Sequence, residues 1–104
     1  MTLQSWLDAR LPEAPTALRE RIAALVAEHP EWESLPRQQA LLAASELLMK
    51  EALAAAPKDR DAALALLAGD ACVTYAFEAA ADEPSSLRSL ADEAMQRIAR
   101  LADL

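Results

Sequence analysis

Glycine, cysteine and histidine each occur once in this chain, as Gly69, Cys72 and His29. A single glycine is too few for the turns of an all-β fold and leaves no phosphate-cradling loop. A lone cysteine cannot close an internal disulfide or form a C-x-x-C pair. A lone histidine cannot supply H-E-x-x-H or the repeated Glu-x-x-His of a di-iron bundle. Thr, Val and Ile together number only seven. Strands favour these types, so their scarcity argues against a sheet. Clustered positive charge is missing too. Lys58 and Arg60 alternate with Asp59 and Asp61, and the formal net charge is −7. Nucleic-acid binding draws on basic groups that release counterions from phosphate, so neither nucleic acid nor an anionic membrane is an expected partner. No uninterrupted run reaches the ~18 apolar residues that mark a membrane span. Met1 to Arg10 has neither the basic start nor the apolar stretch of a signal peptide. The expected location is cytoplasmic.

What the chain has in abundance is alanine and leucine, 26 and 18 of its 104 residues. Both are strong helix formers because they lose little side-chain entropy in a helix. Apolar spacing at i, i+3 and i+4 then divides the chain into five helical segments. The first covers 2–9, with Thr2 as cap and Leu3, Trp6 and Leu7 on one face. It ends at Leu11-Pro12-Glu13-Ala14-Pro15. The second covers 16–29, with Thr16 as cap and a stripe of Leu18, Ile22, Leu25 and Val26. The third covers 35–56, with Ser34 as cap. It carries two apolar lines, Leu35-Leu42-Met49-Leu53 and Leu41-Ser45-Leu48-Ala52. The fourth covers 59–80, with the lines Leu64-Leu67-Ala71-Tyr75 and Leu66, Gly69 or Asp70, Val73 and Phe77. The fifth covers 85–103, capped by Ser85 or Ser86, with Leu87, Leu90, Ala94, Ile98 and Leu101 at helical spacing.

The wide apolar faces of the third and fourth helices mark them as central, each touching more than one neighbour. Short connectors make successive helices antiparallel. The expected fold is therefore one all-α domain over 1–104, a compact four-helix bundle with an additional short N-terminal helix, up-and-down in preference to an orthogonal or helical-repeat-like packing. Gly69, inside the fourth helix, costs about 1 kcal/mol against alanine, which a close helix approach would justify.

No residue set advertises catalysis, and neither enzyme activity nor a metal or cofactor is expected. His29 reads as a helix-end residue beside Glu28 and Glu31, and Cys72 as a small buried hydrophobe. Asp70, Thr74 and Glu78 line one face at four-residue spacing, solvated or bonded between helices. The two carboxylates lie roughly 12 Å apart along the axis, too far for a glycosidase pair. Glu46 is expected to pair with Lys50, and Ser45 to bond back to the carbonyl four residues earlier.

Three functional readings compete. The first is a noncatalytic interaction or assembly module, binding a protein partner or a second copy as a homodimer. Trp6 and Trp32 are its candidate interface residues, or else they seal the core. The second is a small-molecule carrier or sensor with an inter-helix pocket near Ser45, Asp70 and Cys72. The third, ranked last, is a carboxylate-based metal or redox enzyme.

Overall fold

The computed structural model describes residues 2–55, 59–81 and 83–102. It is all-α, with the helices in the expected order: α1 (Leu3–Arg10), α2 (Thr16–Ala27), α3 (Arg37–Ala54), α4 (Arg60–Ala80) and α5 (Pro84–Leu101). Short 3-10 turns, Leu11–Glu13 and Pro30–Ser34, flank α2. The bounds agree with the sequence reading to within two residues. The expected extensions through 56 and 103, the stop at Pro57 and a start at Lys58 lie outside the described residues.

Capping departs more from expectation. Thr2 does cap α1, its Oγ1 accepting from the Ser5 N–H at 3.0 Å. Asp59 caps α4 by accepting from the Asp61 N–H at 2.8 Å. Thr16, Ser34 and Ser85 or Ser86 do not cap. Pro15, Pro36 and Glu83 hold the N-cap positions of α2, α3 and α5. The physical reason is local. Proline's fixed φ already sets the entry angle at two of these positions, and Pro84 occupies the first turn of α5, where its missing N–H costs nothing. Ser34 instead donates to the Glu31 carbonyl at 2.8 Å, and Ser86 to the Glu83 carboxylate at 2.9 Å.

An antiparallel α3–α4 hairpin forms the centre. The start of α3 lies with the end of α4, since Gln38 shares a cleft with Ala79 and Ala80. Halfway along, a Cβ at Gly69 would stand 3.2 Å from Met49 Cγ and 3.4 Å from both Leu48 Cβ and the Ser45 carbonyl. Gly69 therefore marks a close helix approach. The same closeness corrects the expected core of α4. Its buried face is Ala65, Ala68, Gly69, Cys72, Ala76 and Ala80. Only small side chains fit against α3 at this distance. The large residues splay to the flanks, and Leu66 and Leu67, expected on the apolar lines, are 54% and 61% exposed.

The facing side of α3 is the Leu41-Ser45-Leu48 line, all buried. The second α3 line is only partly inside: Leu42 is buried, while Leu35 and Leu53 are exposed. α2 packs on α4, and its Ile22, Leu25 and Val26 are buried. α5 lies along both hairpin helices and runs parallel to α3. Arg97 meets Glu46, and Leu101 lines a groove with Leu53. Among the described residues α4 is the one helix long and apolar enough, by length and composition, to cross a bilayer. The continuous-run criterion had not singled it out, because Asp70 interrupts its apolar residues.

Candidate functional site

The hairpin has two unlike ends. All four aromatic residues lie in the half where α3 begins and α4 finishes. Trp6 is buried and meets Tyr75 edge-on, with ring centroids 6.3 Å apart at 82°. The Arg10 and Arg37 guanidinium groups sit 4.9 and 5.7 Å from the Trp6 ring centre, within cation–π range. Arg10 also pairs with Glu78 at 2.6 Å. Trp32 is buried under His29, whose ring stacks on it at 4.2 Å and 9°. Both candidate interface tryptophans are thus placed inside the protomer.

One interaction at this end was missed from sequence. Leu3 N–H and Gln4 N–H donate to the two carboxylate oxygens of Glu33, at 2.9 and 3.2 Å. These are free donors of the first turn of α1, so a side chain 30 residues away completes the cap and meets the positive end of the helix dipole. The acidic spacing around Trp32 held no signal for it, because the contact depends on where α1 lands. Thr2, Leu3, Glu33, Leu35, Pro36 and Arg37 border an open groove of about 490 Å³ here.

The proposed pocket residues lie in different surroundings. Cys72 is fully enclosed, and burial pushes its thiol up to about 12. Asp70, two residues away and so about 200° around the helix, is exposed. Ser45 is buried on α3 beside a crevice too tight for a water molecule. Its Oγ points forward to Met49 Sδ at 4.0 Å rather than back to a carbonyl. That direction follows from Met49 leaning over Gly69, which puts the sulfur within reach.

The remaining polar candidates find structural partners. Thr74 donates back to the Asp70 carbonyl at 3.2 Å. His29 Nδ1 lies 2.8 Å from Glu31 Oε1. That hydrogen bond is the main reason the Glu31 carboxyl sits below its ordinary value. Glu46 does not pair with Lys50. It accepts from Arg97 at 2.9 Å and lies 3.8 Å from Arg100, because the docking of α5 brings two arginines to its side of α3. Among the described residues no three His, Cys, Asp or Glu side chains gather as a metal site.

The other end, where α3 finishes, α4 begins and α5 finishes, carries large aliphatic side chains at the surface. Leu53 on α3 is 66% exposed and Ile98 on α5 47%, and Leu66 and Leu67 are exposed on α4. Lys50, Leu53, Ala54, Leu101 and Ala102 line an open groove of about 500 Å³. Leu101 also borders the tight crevice with Ile98, so the α3 and α5 parts of this surface are continuous. Such a group at one end can bind by removing apolar area from water, without chemistry. No protein-family model, no curated protein and no solved structure matches the chain.

Proposed function

We propose that this chain is a noncatalytic helical docking module and that its leucine end meets a protein partner. The observation that carries the reading is the exposure of Leu53, Leu66, Leu67 and Ile98, each about half exposed or more, in the half of the molecule where α3 finishes and α4 begins. Single surface leucines are ordinary, but Leu53, Leu101 and Ile98 border adjoining grooves between α3 and α5, and a continuous apolar surface is characteristic of interaction sites. The acidic balance of the chain supports a protein partner rather than nucleic acid. Catalysis is no part of the reading. The polar residues singled out as chemical candidates are engaged in capping, in helix-to-helix pairing or in contact with solvent.

A photo-crosslinking amino acid placed at Leu67 in cells producing the full chain tests this. A control carries the same group at Glu20, exposed on α2. Adducts at 67 and not at 20 support docking through the leucine end. No adduct at 67, or equal adducts at both positions, rejects it.

A further inference from the structure

We infer that α5 is a strap that lifts from the α3–α4 hairpin as one unit while the rest of the protein stays folded, and that Glu46 is the latch that holds it down. The inference stands apart from the docking reading above. Two independent observations carry it.

The first is burial. Three of the 18 residues of α5 are buried, Leu90, Ala94 and Leu101. The proportion is three of eight in α1, three of 12 in α2 and six of 18 in α3. α5 is therefore the helix with the least apolar area to lose, for its length, by coming away. Its Met95 and Ile98 already face solvent. The hairpin does not need α5 to stay closed, because α3 and α4 meet along the buried line at Gly69. Segments with few buried apolar groups are the ones that open ahead of global unfolding.

The second is the chemistry of the joint. Between Leu90 and Leu101 the contact of α5 with α3 is ionic. Glu46 accepts from Arg97 at 2.9 Å and lies 3.8 Å from Arg100. The Glu46 and Arg97 side chains are only 17% and 21% exposed. Glu93, one turn before Arg97 on α5, holds the same guanidinium at 3.4 Å. Arg97 Nε is enclosed with no hydrogen-bond partner among the described residues, beside a crevice too tight for water. Closing α5 therefore gains an ion pair but strips water from two charges and leaves one donor unpaired. Opening returns all three groups to water. These opposing terms keep the open form within reach of the closed one. Removing Glu46 alone strands Arg97 half-buried and tips the balance toward opening. The open form uncovers the Leu42 and Ser45 side of α3, which Ile98 and Leu101 now border. The latch thus governs access to a surface that is closed in the native fold.

The test is native-state hydrogen exchange of the full chain, read residue by residue in increasing, sub-denaturing urea. The α5 amides are expected to share one opening, roughly 100-fold more frequent than that of the buried stretches of α3 and α4, with a urea slope of its own below that of global unfolding. Glu46→Gln should make this opening roughly 10-fold more frequent. Glu33→Gln, at the far end of the hairpin, should speed exchange in α3 and α4 and leave the α5 opening unchanged, because it weakens the closed and the open form alike. Replacing both charges, Glu46→Leu with Arg97→Met, should return the α5 opening to the wild-type frequency or below, which a packing defect at position 46 would not allow. Exchange of α5 at the rate of α3 and α4 overturns the strap, as do α5 amides that exchange one by one with no urea slope, or an α5 opening that Glu33→Gln speeds as much as the core. A Glu46→Gln variant with unchanged α5 opening overturns the latch, and so does a double variant that opens as often as Glu46→Gln.

Discussion

The aromatic end and the leucine end of the α3–α4 hairpin are built from the same two helices, yet large side chains are mostly enclosed at one and exposed at the other. At the aromatic end α1 and the Pro30–Ser34 turn cover the hairpin. They bring Trp6 and Trp32 inward and tie themselves down through Glu33, Arg10 and Arg37. At the leucine end Leu53, Leu66 and Leu67 remain more than half exposed. The contrast shows that apolar content alone does not make a core. Burial needs a second element that arrives at the same place. Large side chains at the aromatic end are enclosed because the N-terminal third of the chain folds back over them. At the other end α3 and α4 approach through alanine and glycine, which turns their leucines outward.

The sharpest way to break this comparison is to remove the anchor of the closed end. Trp6→Ala is expected to lower stability by about 3–5 kcal/mol, because it deletes a buried ring and strands Tyr75, Arg10 and Arg37 around the space. Urea unfolding measures it, and a loss below about 1 kcal/mol would mean that this end is not sealed by Trp6.

Cys72 lies between the two ends, at the waist of the hairpin. Its folded thiol ionises only at about 12, against an ordinary value of 9.0. The unfolded chain therefore releases a proton that the folded chain keeps. The stability linked to this thiol is complete below pH 9, falls as pH rises, and is lost on passing through about 12. Between pH 9 and 11 the loss should be on the order of 2 kcal/mol. Cys72→Ala should flatten that slope whatever it does to the absolute stability. Denaturant titrations of both proteins at each pH give the difference, and parallel slopes would place the thiol in contact with water.

Glu33→Gln should cost about 1 kcal/mol, since it keeps the shape of the α1 cap but removes the charge facing the helix dipole. The effect should be confined to the closed end, with tryptophan emission shifting to the red before the helical signal is lost. Smallest of all, Leu53→Ser and Leu67→Ser should change the stability of the dilute protein by no more than about 0.5 kcal/mol. A larger loss would show that the leucine end is structurally needed within the monomer, and the two ends would no longer differ as described.

Much of the fold is legible in local pattern. The Leu18-Ile22-Leu25-Val26 stripe predicts the inward face of α2 correctly, and Thr2 caps α1 where hydrogen-bond chemistry expects it. Gly69 predicts a close approach, because glycine inside a helix needs a packing reason. The candidate site is less legible. Leu66 and Leu67 fit apolar lines as well as Ala65 and Ala68 do, and periodicity does not rank a large face above a small one. Glu46 has an i+4 partner in Lys50 but turns to Arg97 of α5, 51 residues away. Local spacing carries no information about which distant helix will dock beside it.

The sequence by itself determined that this chain is helical, where its helices lie and which two are central. Helix propensity and apolar period act over a few residues and are written into each segment. Only the tertiary structure decided which residues became the core, that Glu33 completes the α1 cap, and that the leucines of α4 face outward. Those outcomes depend on how closely α3 and α4 approach and on where α1 comes to rest, and such long-range geometry is set by the packing of whole elements rather than by any one of them.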